Sequence, residues 1–536
     1  MPGTLIRGAT VVDGTGAPGR VADVTIGEGR ITEIGQHLTG TTTIDADGLV
    51  LSPGFIDMHA HSDLALLIEP DHLAKVGQGV TTEVIGQDGL SYAPVDDTTL
   101  AETRRTISGW NGDPPGFDWS WRGVGEYLDR LDQGIAVNAC YLVPQGTVRM
   151  LAMGWDDRPP TRAELDRQCE LVAIGMREGA VGMSSGLTYV PGMYADNAEL
   201  AELCRVVASL GGFYSPHHRS YGAGALEAYA EMVELSRRTG CPLHLAHATM
   251  NFGVNRGRAP ELLSLLDAAI ADGGDITLDT YPYLPGSTTL VALLPSWAAA
   301  GGPAALLARL ADPEERSRIR HSMEVEGSDG CHGVPAEWET IEISGSPDTT
   351  VVGRTIADLA AASGRPAFDV FCERLVADDL ATTILQHVGH EENVRAIMRH
   401  PCHTGGSDGL LPVITEANAA AKPHPRAWGT FPRYLGHYVR DLGVLSLEEC
   451  VAHLTGVAAR RLRLEDRGLI RPGHHADLVL FDPATVRDTA TFDDPKRQPD
   501  GITHVFVGGT AVIRDGRHSG ALPGRSLRRT PAGTTR

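Results

Sequence analysis

The chain has 536 residues, too many for one small core, and its 42% apolar and 21% charged residues are those of an ordinary globular protein. With 46 basic against 68 acidic residues, a net charge of −22, it lacks the basic face that nucleic-acid binding needs. No apolar run reaches the roughly 18 residues of a membrane span, and the opening residues, MPGTLIRGATVVDGTG, carry no secretory or lipidation signal. The eight cysteines are scattered without a CxxC pair, so they read as free thiols in a reducing cytoplasm.

In chain order, residues 1–54 alternate short β-rich runs with glycine turns (LIRGATVVDGTG, VADVTIGEGRITEIG, TTTIDADGLVLSPG). Residues 466–536 repeat that style in HHADLVLFD and ITHVFVGGTAVIRDGR. Neither end buries a core alone, so the two are expected to complete one small β-sandwich, followed by a C-terminal tail. Between them, over 55–465, strand candidates alternate with helical periodicity: FIDMHAH, TTEVIG, GIAVNACYLV, GAVGMSSGL, GGFYSPHH, CPLHLAHA, GDITLDTYPY, TTILQHVG and CHTGGSD. NAELAELCRVVASL, LEAYAEMVELSRRTG and APELLSLLDAAIADGG are the clearest helices, each followed by glycine. Repeated strand–helix units imply an α/β fold with a parallel sheet, here a (β/α)8 TIM-like barrel with its chemistry at the C-terminal ends of the strands. A doubly wound open sheet is the rival, but the GxGxxG loop of many such folds is absent. Residues of about 286–350 break the alternation and read as an inserted, lid-like subdomain. The loop WNGDPPGFDWSW, Trp110 to Trp121, reads as surface packing.

Histidines and acids gather at the predicted strand ends. His59 and His61 in PGFIDMHAHSD are two residues apart and share one face of a strand, a suitable geometry for two imidazoles on one metal. YSPHHRS offers His217 and CPLHLAHAT offers His247, each nearest its strand end; the neighbouring His218 and His244 are expected to pack or to support the ligands. Asp88 in GQDG and Asp408 in GSDG each precede a glycine after a short strand. Alone, each is an ordinary turn residue. Together, His59, His61, Asp88, His217, His247 and Asp408 form an N/O donor set suited to one or two Zn2+ ions, with Mn2+ or Fe2+ as alternatives.

This constellation resembles the amidohydrolase superfamily, and in detail its D-aminoacylases (N-acyl-D-amino-acid deacylases). The resemblance runs nearly end to end through PGFIDMHAHSDLAL, GVTTEVIGQDG, GAVGMSSGLTYVPG, LDTYPYLPGST, EENVRAIMRHP, GSDG, PHPRAWGTFPRYLGHYVR and RGLIRPGHHADLVLFDP. It implies metal-dependent hydrolysis of N-acyl-D-amino acids to a carboxylate and a free D-amino acid. His59, His61, His217 and His247 are the implied ligands and Asp408 the general base. Arg426 is implied to grip the substrate α-carboxylate with help from Tyr283 and Ser287, a task that suits a planar guanidinium fork.

The chain departs from the pattern at Asp88, where the family usually has GNCG with a zinc-binding cysteine. Other amidohydrolases use a carboxylated lysine on the fourth strand, but GAVGMSSGL has none, and none of the three lysines, Lys75, Lys422 and Lys496, falls near it. Asp88 is thus the available anionic ligand; otherwise it only hydrogen-bonds Ser91 or a histidine. The expected partner is a small molecule with a neutral or hydrophobic side chain, with no nucleic acid and no membrane, and with homo-oligomers allowed. The competing readings are a cyclic amidase of the dihydroorotase or hydantoinase type and a metal-free scaffold paralogue.

Overall fold

Eight short parallel strands form the centre of the computed structural model, which describes residues 3–413, 418, 420–530 and 533–536. In chain order they are β1 Phe55–Asp57, β2 Val80–Ile85, β3 Asn138–Pro144, β4 Gly182–Gly186, β5 Phe213–His217, β6 Leu243–Leu245, β7 Ile276–Thr280 and β8 His403–Gly405, each beside its predecessor. β2 to β5 are buried along their whole length, so none shows the in–out alternation of a half-solvated strand. The barrel closes where β8 returns to β1: Met58 N–H donates to Gly405 O, and Gly409–Leu410 pairs in parallel with Ala60–His61.

The helices between strands follow their local signals. Asp196 caps Asn197–Ser209 by accepting from Ala198 N and Glu199 N. Ala225–Thr239 stops at Gly240, whose φ of +67° is left-handed backbone that suits a residue without Cβ.

The two chain ends meet as expected, in one nine-stranded sheet. Val50–Pro53 pairs with Leu478–Phe481, joining the first five strands to the last four. Alternation in that late strand shows why. Leu478 and Leu480 join Ile6, Val24, Leu51 and Phe506 in the sheet's own core, while Val479 and Phe481 join the barrel's core cluster. The sheet curls until Ala476 N–H donates to Gly29 O across it. Beyond the sheet, Gly524–Arg529 runs under the barrel and binds backbone near the N-terminal ends of β3 and β4, at Ile135, Ala139 and Gly179, while the Arg529 guanidinium donates to Gly211 O ahead of β5. Leu527 there caps a cluster with Ile56, Val84, Leu142 and Phe213.

The insertion exists, but it is longer than 286–350. Gly286–Thr289, Thr383–Gln386 and Ile341–Gly345 form a three-stranded antiparallel sheet with Thr383–Gln386 in the middle. TTILQHVG is therefore not a barrel strand. Nine apolar candidates competed for eight places, and this one is buried by the subdomain's separate core of Leu306, Phe371, Leu375 and Ile384.

Candidate metal centre

The candidate residues converge on the barrel mouth at the C-terminal strand ends. His59 and His61 follow β1, Asp88 follows β2, His217 ends β5, His247 follows β6 and Asp408 follows β8. Asp88 (φ 54°), His247 (φ 31°) and Asp408 (φ 50°) adopt left-handed backbone, a strained state that clusters at functional sites. The turn at Asp88 is packed hard: a Cβ added to Gly89 (φ +70°) would stand 2.6 Å from Gly186 N.

His59 Nε2 and His61 Nε2 are 3.3 Å apart, and Asp408 Oδ1 lies 3.6 and 3.3 Å from them. His217 Nδ1 and His247 Nε2 are 3.0 Å apart. Asp88 stands between these groups: Oδ1 is 3.5 Å from both His59 Nε2 and His247 Nε2, and Oδ2 is 3.5 Å from His61 Nε2 and 3.4 Å from His217 Nδ1. Each carboxylate oxygen thus touches one imidazole of each group. One donor atom from each of His59, Asp88, His247 and Asp408 falls within 4.8 Å of the others. Nitrogen and carboxylate donors gathered in this way are a set that could hold a divalent metal ion. Asp88 Oδ1 is buried without a hydrogen-bond partner, an expensive state that a cation relieves. The residues fit a divalent metal.

Around the donors stand their supports. Asp279 in β7 accepts from His247 N (3.0 Å), faces His244 Nε2 (3.0 Å) and lies 3.7 Å from His59 Nδ1. Thr188 Oγ1 is 2.6 Å from His217 Nε2, and Tyr221 OH is 3.0 Å from His247 Nδ1. Such contacts orient imidazoles for a metal. His218 packs its ring at a tilt against Tyr221 and Tyr229 instead, and His244 serves Asp279, so both support the site as expected.

Electrostatics follow from this crowding. Burial alone would raise Asp88, but His217, His59 and His247 hold its carboxyl well below the ordinary range. Burial likewise opposes ionisation of Asp408, yet Arg426 and the histidines keep it low. Burial pulls His61 down, but hydrogen bonds to Asp408 and Asp88 outweigh it and lift its pKa to about 9. His217 is lowered by burial, whereas Asp88 and Asp408 raise His247 against theirs.

Three expectations need correction. Tyr283 is not in the cavity: its hydroxyl turns away to Asp488 (3.3 Å) and its ring carries Arg433, because that acid gives a buried phenol a partner. Tyr281 takes its place, lining the cavity beneath the Arg426 guanidinium at 4.5 Å, with its pKa pushed up to about 12 by burial. Trp110 is no surface residue; it is 3% exposed, packs 5.1 Å from His61 and forms cavity wall. Ser287 lines the cavity, but Arg426 lies one layer behind it, fully buried, with Nη2 on Asp408 Oδ2 (2.9 Å) and on Ser287 O (3.3 Å). Its Nε and Nη1 have no hydrogen-bond partner. Of the residues the sequence did not single out, Asp279 had a signal, a carboxylate inside the apolar strand ITLDT; Thr188 and Tyr221 had none.

Comparison with known proteins agrees with this geometry. The family model described as "Amidohydrolase family" matches residues 42–513. The chain belongs to the amidohydrolase family. Within it, the chain is 34% identical to a D-aminoacylase of Alcaligenes xylosoxydans xylosoxydans over 98% of both chains. It is 35% identical to that organism's N-acyl-D-glutamate deacylase, over 98% of this chain and 96% of the relative. A solved D-aminoacylase structure, described for its binuclear metal centre, superposes with a TM-score of 0.82 at 33% identity, covering 99% of this chain and all of the other. An N-acyl-D-glutamate deacylase from Bordetella bronchiseptica, solved with zinc and a phosphonate inhibitor, also gives 0.82 at 33% identity over 98% and 99% of the two chains.

Proposed function

We propose that this chain is a metal-dependent deacylase of N-acyl-D-amino acids with neutral, hydrophobic side chains. The observation that carries this reading is Arg426: a fully buried guanidinium beside the donor cluster, with two nitrogens unpaired. An orphaned buried donor of that charge is costly, and a substrate α-carboxylate satisfies it in the bidentate geometry arginine favours. Arg426 is held against Tyr281 and Asp408, so the carboxylate enters beside Ser287 and draws the guanidinium toward the cavity. Among the described lining residues no lysine or arginine is present to meet a second, side-chain carboxylate. Trp110, Phe252, Leu293 and Leu410 supply apolar wall.

His59, His61, Asp88, His217, His247 and Asp408 are the residues that would hold the metal, with zinc first and Mn2+ or Fe2+ as alternatives for a site in which carboxylate replaces thiolate. A divalent ion there supplies Lewis acidity, which acidifies water and polarises an amide carbonyl. Asp408 Oδ1 faces the donor cluster and takes a proton from the attacking water as the carbon–oxygen bond forms. The same oxygen returns that proton to the leaving nitrogen as the carbon–nitrogen bond breaks, giving a carboxylate and a free amine. Arg426 fixes one end of the substrate, so the configuration at Cα decides whether the acyl carbonyl reaches the cluster. The eight free cysteines support a cytoplasmic setting, and no helix among the described residues is long and apolar enough to cross a membrane.

The test is a panel of N-acetyl-D- and N-acetyl-L-amino acids, with hydantoin and dihydroorotate added, assayed against quantified metal. Turnover of N-acetyl-D-leucine, -methionine or -phenylalanine above N-acetyl-D-glutamate and -aspartate is expected, with no turnover of the L-series. Faster ring opening than deacylation would overturn the reading. Dihydroorotase similarity covers only 52% of the chain, at 27% identity.

A further inference from the structure

Lys75 is one of only three lysines in the chain. It is fully buried, on the short helix Leu73–Val76 behind the seam where β1 meets β8. Its Nζ donates to Asp57 Oδ2 and to Ser407 Oγ, both at 2.6 Å, and lies 4.0 Å from Glu83 Oε2. Asp57 and Glu83 are direct partners in the register of β1 and β2, so two carboxylates stand side by side on one buried face. Like charges in that relation destabilise a sheet, and buried ones need a cation. Lys75 answers one, and His72 Nε2 meets Glu83 Oε1 at 2.9 Å.

The partners of Lys75 lead straight to the donor cluster. Asp57 Oδ1 accepts from His59 N (3.2 Å) and from Ser407 N (2.8 Å). Ser407 Oγ donates to His59 O (3.2 Å) and accepts from Gly409 N (3.1 Å), and Asp408 N donates to His59 O (2.8 Å). The segment bearing His59 and His61 and the segment bearing Asp408 are therefore hung from one ammonium. The ladder between them is short, two paired residues on each side, and cannot fix their spacing alone. We propose that Lys75 is a positioning residue: its ammonium, through Asp57 and Ser407, sets the distance between the His59–His61 pair and Asp408, and so the geometry offered to a metal. Lys75 touches neither the cavity nor the donors.

The inference rests on the metal-site reading but not on the substrate. Lys75→Met alone strands two buried acids and endangers folding, so the test uses Ser407→Ala, which removes the hydroxyl that joins Lys75 to His59 O and Gly409 N while keeping the charges, and Lys75→Met/Asp57→Asn, which removes charge in balance. Each protein is stripped with a chelator, titrated with Co2+, and followed by visible absorption, bound metal per chain, near-ultraviolet circular dichroism and Tm. Loss of an outer-shell contact typically weakens metal binding or activity 10- to 100-fold. Both variants are expected to keep the wild-type dichroism, bind Co2+ about tenfold or more weakly, shift its absorption bands and lower kcat with KM little changed. Co2+ affinity, spectrum and kcat equal to wild type in a folded Ser407→Ala protein, or in the double variant, would overturn the proposal whatever happens to Tm. A wild-type chain that takes up no Co2+ would instead sink the metal site itself.

Discussion

Asp408 divides its two oxygens between opposite partners, Oδ1 toward His59 and His61 and Oδ2 on Arg426. Held low by that guanidinium, the carboxylate stays ionised and able to accept a proton. Asp408→Asn keeps the shape and loses the acceptor, so kcat should fall by roughly 10²- to 10⁴-fold with circular dichroism unchanged. A variant within tenfold of wild type would remove Asp408 from the base role. His61 gives a second outcome. Its pKa rises from 6.5 in the unfolded chain to about 9 in the fold. The stabilisation from His61 is thus complete below pH 6.5 and is lost as pH climbs through about 9, by up to roughly 3 kcal/mol. A metal needs the neutral ring, so its affinity should climb across that same window while binding releases protons. Calorimetry in buffers of different ionisation enthalpy reads the released protons, and none between pH 6.5 and 9 would contradict the assignment.

Among the elements, the insertion stands out because it owns its core. Phe371, Leu375 and Ile384 belong to one cluster distinct from the barrel's, while Leu293 and His332 reach into the cavity from the same excursion. His332 faces no carboxylate, and burial lowers its pKa to about 3, so it meets a substrate uncharged. Phe371→Ala should therefore cost about 3–5 kcal/mol within the subdomain, raise KM several-fold and leave bound metal unchanged. Equal loss of metal and subdomain stability in a chelator titration would show the two to be one unit. The same independence explains the misread strand. TTILQ is apolar and β-branched because it is the buried middle of a sheet, and local pattern reports burial, not which sheet buries it. His59, His61 and the strand-end acids were legible for the opposite reason: polar groups capping apolar strands need partners, and that need shows in sequence. Tyr281 and Tyr283 differ only in which neighbour, Arg426 or Asp488, lies across a fold that no local spacing records.

At the scale of the molecule, five barrel strands and their loops send donors to one point, so an ion bound there braces most of the barrel at once. Stripping the metal should lower the midpoint of thermal unfolding, and restoring it at 100 times its Kd should return about 2.7 kcal/mol. A midpoint indifferent to chelator would mean that the donors are fixed by the protein alone. The barrel class, the meeting of the chain ends and the presence of an insertion could be read in advance because strand–helix periodicity and turn chemistry are local; the insertion's extent could not. Nor could the place of Lys75, whose partner Ser407 is 332 residues away.

The pairing of Val50–Pro53 with Leu478–Phe481 also sets a timetable for the living cell. The first five strands leave the ribosome early, yet the neighbour that covers their open edge is made about 425 residues later. At 5–20 residues per second that is a wait of roughly 20 to 90 s. Through that interval the nascent chain carries an unpaired apolar strand edge, which is what edge-to-edge aggregation needs. Birth of this protein is therefore a problem of timing, in which Val50–Pro53 must be kept apart from neighbouring copies until Leu478–Phe481 arrives.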